Sequence, residues 1–258
     1  LRPPSIKGVL RFWWRVFESP ISLDNTTSKL AEIENRIFGG SGKNQGQSIF
    51  SLKIFDLKEI KYGEKGNEKW DKNPVSYLGY GPIIRDKVKK KSITTRSFIE
   101  SGRFSVNLLF KPIPPNSSKD EIRNRETDIL MVKKAFWAMS MFGGIGARSR
   151  KGFGSVVPTT VIGMNELPSM IVEKQKDLEH SLKTFFEDCQ SISSEARYTR
   201  FSNKSRCVIL GTNNASNAFS TGENCLAWLG ETILSFRSHR GSKKKPWVTA
   251  DQDRKSVV

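Results

Sequence analysis

Gly143-Gly144-Ile145-Gly146-Ala147-Arg148-Ser149-Arg150-Lys151-Gly152-Phe153-Gly154-Ser155 holds five glycines and three cations in thirteen residues, with no acid among them. Glycine admits positive φ and lets a backbone approach a ligand closely. Successive backbone N–H groups in such a loop can cradle an anion. Upstream, Ser118 is placed to cap a helix over about 119–142, with Ile122, Ile129, Val132, Phe136 and Met139 as its inward stripe. Downstream, Ser155 to Ile162 reads as a strand. The stretch thus joins an apolar helix to a closing strand.

Toward the N-terminus, Phe104, Val106, Leu108 and Phe110 alternate cleanly and predict a strand closed by Pro112-Ile113-Pro114-Pro115. Gln47 to Lys61 predicts another, with Phe50, Leu52 and Ile54 on one face. A helix over Ser28–Phe38 is ended by Gly39-Gly40. Ser5 is a cap for a helix over about Ile6–Glu18, where Ile6, Val9, Leu10, Trp13 and Phe17 form one stripe and Lys7, Arg11, Trp14 and Arg15 the other side. Gly8 in that helix costs on the order of 1 kcal/mol against alanine, which suggests close approach by something. The chain starts at Leu1 directly ahead of this helix, and the pattern expects a natural segment upstream. With a strand there, the order becomes β-α-β-β-α-β, the ferredoxin-like arrangement, with an inserted helix. After Pro168 the pattern restarts weakly: helices over about 173–190 and Glu223–Phe236, and a strand over Lys204–Leu210. The predicted class is α+β, with a first domain at 1–163 and a partial second domain at 164–258.

The formal charge is +17 over 258 residues, with 36% apolar content. That apolar content supports a real core, and the charge points to nucleic acid, an anionic membrane or an acidic partner. No apolar run approaches the roughly 18 residues of a membrane span, and none resembles a signal peptide. Cys189, Cys207 and Cys225 lack metal-site spacing and read as thiols of a reducing compartment, here the cytoplasm. Neither a metal centre nor a cofactor is expected. Gly42-Lys43 looks like part of a phosphate-binding Walker loop, but Ile37 stands where its first glycine belongs and Asn44 where Ser or Thr belongs.

Leu1-Arg2-Pro3-Pro4-Ser5-Ile6-Lys7-Gly8-Val9-Leu10-Arg11-Phe12-Trp13-Trp14-Arg15 resembles the first-helix motif of the RAMP superfamily of CRISPR proteins. It is similar in particular to the largest RAMP subunit of Cmr, or type III-B, effector complexes. Glu34-Asn35-Arg36-Ile37-Phe38-Gly39-Gly40 and the stretch Gly144–Ser155 also resemble that family's segments. The resemblance covers about the first 163 residues. It implies tandem ferredoxin-like (RRM-like) domains, CRISPR RNA and target RNA as ligands, other Cmr subunits as partners, and a non-catalytic role in antiviral defence. The family's first strand and a glycine-rich loop in the second domain are not visible here.

On this reading Lys7, Gly8, Arg11, Trp14 and Arg15 form one wall of an RNA groove. Gly144, Gly146, Arg148, Arg150, Lys151, Gly152, Phe153 and Gly154 form the other. Cations neutralise phosphates, and Trp14 and Phe153 offer stacking faces. Phe153 is equally a core anchor beneath the loop. The basic run Arg85–Lys91 is either an RNA contact or a partner-binding loop, and a basic tail follows Arg237. The rival reading is an endoribonuclease processing precursor CRISPR RNA. Metal-independent RNA cleavage usually takes a base titrating near neutrality, and the only histidines are His180 and His239.

Overall fold

The computed structural model describes residues 2–17, 26–42, 46–189, 201–207, 209 and 221–238. Helix α1 (Pro3–Phe17) begins two residues before the expected cap. Prolines fit a first helical turn, where their missing N–H is not needed. Helices α2 (Thr26–Phe38) and α4 (Lys119–Phe142) lie where expected. Ser118 completes a capping box with Glu121: its hydroxyl accepts from the Glu121 N–H, and the Glu121 carboxylate accepts from the Ser118 N–H at 2.7 Å.

Strands β1 (Phe50–Gly63) and β4 (Phe98–Phe110) pair in a two-stranded sheet. The Lys111 N–H donates to the Ile49 carbonyl at 2.8 Å, and Arg103 lies 3.5 Å from Glu59. Partners that rise on one strand and fall on the other mark an antiparallel pair. Within Phe50–Phe55, Phe50, Leu52 and Ile54 are the more buried residues, as alternation predicts. Past Phe55 the alternation fades, where Asp56 and Glu59 take φ of 52° and 54°. Such left-handed residues interrupt the pleat.

The chain divides into two compact units, residues 1–59 with 102–206 and residues 60–101 with 207–258. These boundaries differ from a cut at 163/164. In the first unit α1 packs on α4, and α5 (Gln175–Glu187) joins them. Trp137 stacks on Phe185 at 3.8 Å and donates its indole N–H to the Pro168 carbonyl at 2.8 Å. Trp13, Phe142, Phe186 and Phe201 extend the same aromatic core. The α5 stripe therefore completes the first core, which explains why residues after 163 do not separate there. Val132 and Met139 of α4 are buried as expected, but Ile122 is exposed.

The second unit holds α3 (Val75–Leu78), the hairpin of β2 (Ile83–Arg85) and β3 (Ser92–Thr94), and α6 (Gly222–Ser238), which packs on α3. Its register sets Ile83 opposite Thr94 and Arg85 opposite Ser92. The basic run thus belongs to a hairpin, in which Lys89 and Lys91 pair with Glu68. Lys69 bridges Glu100 and Glu223.

One expected strand is not formed, and the described part of another, Lys204–Leu210, is irregular. Residues 155–162 carry no ladder, with Val157 and Ile162 exposed, and residues 201–207 and 209 are likewise irregular. Strand propensity alone does not hold an extended segment that lacks a hydrogen-bonded neighbour. The 155–163 segment instead faces β4 across a groove of about 740 Å³. His239 and the tail beyond it lie outside the described residues.

Candidate nucleic-acid interface

At about 100° per residue, Lys7, Arg11, Trp14 and Arg15 share one side of α1, while Ile6, Leu10 and Trp13 face α4. The cation side meets α2 and the start of β1. Glu34, 7% exposed, receives both arginines. Arg15 binds it in two-pronged fashion, Nε–Oε2 2.6 Å and Nη2–Oε1 2.7 Å, and Arg11 adds a contact at 3.4 Å. Arg11 also donates to the Gly39 carbonyl at 2.6 Å and the Phe38 carbonyl at 3.3 Å. The hydrogen bond to Glu34 holds Arg15 above the ordinary arginine value. These two guanidiniums clamp α1 to α2 rather than standing ready for phosphate. Trp14 corrects the expectation more sharply. It is fully buried and sits edge-on to Phe38 at 6.0 Å, so no base can stack on it.

Lys7 differs from both arginines. Its ammonium lies 5.2 Å from the centre of the Phe50 ring, half-buried, and among the described residues no carboxylate pairs with it. Burial pushes its pKa down, and the charges of Arg11 and Lys111 push it further the same way. Lys111 is close because its N–H bonds the residue preceding Phe50, and its Nζ donates to Gln47 Oε1 at 2.8 Å. Gly8 beside Lys7 is exposed, and a Cβ built on it would meet nothing within 4 Å. Internal packing therefore gives no reason for glycine there.

Between α2 and β1 the chain forms a cleft of about 590 Å³ lined by Arg11, Asn35, Gly39, Gly40, Gln47 and Ser48, among others. Gly39 makes its turn at φ 78°, and a Cβ there would come within 2.7 Å of the Ser48 nitrogen. Only glycine fits both conditions. Sequence reading passed over Asn35, Gln47 and Lys111. The signals available were the resemblance of the 34–40 segment and the glycines flanking the rejected Walker pattern.

The loop after α4 folds on itself. The Ile145 N–H donates to the Gly154 carbonyl at 2.8 Å, and a Cβ on Gly144 would meet that carbonyl oxygen at 2.8 Å. A short 3₁₀ turn, Ser149–Lys151, lies between Arg148 and Gly152, both left-handed at φ 65° and 84°. Arg148, Lys151, Gly146, Gly152 and Gly154 are exposed, and Phe153 is half-buried. Gly143 packs against Trp13, where a Cβ would lie 2.6 Å from the indole nitrogen. Trp13 is about 160° around α1 from Arg11. The loop and the Lys7–Arg15 side therefore occupy different faces of α1, which revises the picture of two facing walls.

His180 is exposed on α5, and among the described residues no three His, Cys, Asp or Glu side chains converge as metal ligands. Burial pushes the Cys189 thiol up to about 11 and raises Cys207 as well. No described helix is long and apolar enough to cross a membrane.

The RAMP superfamily model matches residues 1–157. CRISPR system Cmr subunit Cmr1-1 of Pyrococcus furiosus is 30% identical over 161 residues, covering 60% of this chain and 40% of the relative. Subunit Cmr1-2 of the same organism is 28% identical over 163 residues, covering 59% of this chain and 79% of the relative. The chain thus spans less than half the length of the first. The crystal structure of apo Cmr1 from Pyrococcus furiosus aligns with TM-score 0.51 at 21% identity, over 98% of this chain and 73% of that one. That likeness is one of fold.

Proposed function

The chain belongs to the RAMP superfamily and is Cmr1-like, and from that premise we propose that it is a non-catalytic, RNA-binding subunit of a type III-B (Cmr) CRISPR effector complex. Its ligands are CRISPR RNA or the captured target, its partners the other Cmr subunits, its place the cytoplasm and its purpose antiviral defence. The observation that carries RNA binding is Lys7: a half-buried ammonium with cationic neighbours and, among the described residues, no carboxylate partner, beside a glycine with open space above it. A phosphate there relieves the repulsion that the fold leaves in place. The finer fold reading is ferredoxin-like, supported by the order of α1, β1, β4 and α4.

The test is a salt titration of labelled CRISPR RNA binding by fluorescence anisotropy. If Lys7, Lys111, Arg148 and Lys151 each neutralise one phosphate, the single-strand slope is about −2.8, and affinity drops about 50-fold between roughly 50 and 200 mM salt. A flat titration sinks the proposal. The same samples run on a denaturing gel should show precursor CRISPR RNA intact. Cleavage that disappears in His239→Ala transfers the assignment to the endoribonuclease.

A further inference from the structure

The cleft between α2 and β1 has a chemistry that phosphate neutralisation alone does not use. Its volume of about 590 Å³ falls within the range of roughly 300–1,000 Å³ typical of small-ligand sites. That is room for one nucleotide. Two amide side chains line it. Among the described residues the Asn35 side chain has no hydrogen-bond partner, and Gln47 uses only its Oε1, toward Lys111 at 2.8 Å. Arg11 lines it too, but its Nη2 is already committed to the Gly39 and Phe38 carbonyls. The guanidinium therefore positions the loop backbone. The cations left for a ligand lie outside the lining, Lys7 over Phe50 and Lys111 beside Gln47, and among the described residues neither is paired to a carboxylate.

We infer that this cleft receives one nucleotide of single-stranded RNA, its phosphate between Lys7 and Lys111 and its base against the amides of Asn35 and Gln47. An amide presents a donor beside an acceptor, the complement of a base edge, and single-stranded RNA exposes such edges. An acidic peptide also satisfies the two lysines, and the polyglutamate comparator below separates it from RNA. This inference rests on the RNA-binding reading above and adds the place where a base is held.

The experiment measures binding of a short unstructured labelled RNA to the full chain, with an abasic oligonucleotide of equal length and polyglutamate as comparators. Asn35→Ala with Gln47→Ala should weaken RNA binding by about 5- to 10-fold, through lost hydrogen bonds, without changing the salt slope. The same pair should leave the abasic oligonucleotide unaffected. Lys7→Gln and Lys111→Gln should each reduce the slope by about 0.7. Because Gln47→Ala also breaks the Lys111 contact, Gln47→Glu serves as a second variant. It keeps the size and the lysine contact, and it should bind RNA still more weakly. Wild-type RNA binding that the Asn35 and Gln47 changes leave unaltered overturns the cleft and leaves the RNA-binding reading standing. No RNA binding at all overturns both. Polyglutamate displacing RNA at equal charge concentration assigns the cleft to an acidic polypeptide and overturns the nucleotide.

Discussion

Glu34→Gln separates the structural from the ligand-binding cations of α1. In the native chain one carboxylate, 7% exposed, neutralises Arg15 through two short bonds and Arg11 through a longer one. Breaking a fully buried pair costs about 3–5 kcal/mol, whereas exposed pairs are worth about 0–1 kcal/mol. Here the acid is buried, but the arginine side chains are 34% and 51% exposed. An intermediate loss of about 2 kcal/mol is expected, or about 4–8 °C in Tm for a unit of this size. Urea unfolding followed by tryptophan fluorescence measures it, since Trp13 and Trp14 sit on α1. The variant also raises the formal charge above +17 and leaves two arginines uncompensated beside Lys7. Its salt slope for RNA should steepen by about 0.7–1.4, with tighter binding at low salt. Lower stability with tighter RNA binding is a pairing that few destabilising changes produce. Unchanged stability would refute the clamp. Weaker RNA binding in a still-folded variant would show instead that Glu34 orders the arginines for RNA.

Three further outcomes follow from the packing. Trp137→Ala should destabilise by about 3–5 kcal/mol by emptying a buried stacking site, and Trp137→Phe by about 1 kcal/mol or somewhat more through loss of the Pro168 bond, both read from urea midpoints. Gly39→Ala forces a left-handed alanine against the Ser48 nitrogen and should cost about 2 kcal/mol. Seeing less than about 0.5 kcal/mol would mean the turn is not built as described. The hydrogen bonds from Ser118 hold the Glu121 carboxyl below its usual range. A depressed carboxyl contributes stability that is complete above its unfolded value near 4.3 and is lost as pH falls through the folded value. Glu121→Gln should therefore flatten the acid limb of the stability profile and leave its slope near neutral pH unchanged.

Local patterns in the sequence were enough to mark most helices and both long strands. The capping box at Ser118, the 3.6-residue stripes of α1 and α4 and the alternation in Phe104–Phe110 each depend on neighbours within a few positions. The three motifs over the first 155 residues were also enough to reach the family. Pairing across the chain was another matter. Nothing near Trp14 told it apart from a stacking residue, because its burial depends on Phe38, which lies on α2. Nothing near Arg11 or Arg15 revealed that Glu34 had already claimed them. Residues 155–162 have the composition of a strand but not the neighbour that makes one, and α5 completes the first core because Phe185 meets Trp137. The glycine-rich stretch 143–155 shows the same division. Its glycines were legible as a tight turn, but which face of α1 it would meet was settled by Gly143 resting on Trp13. Charge and propensity belong to single residues and can be read along the chain. Burial and ion pairing belong to two residues at once, and only the folded chain chooses the second.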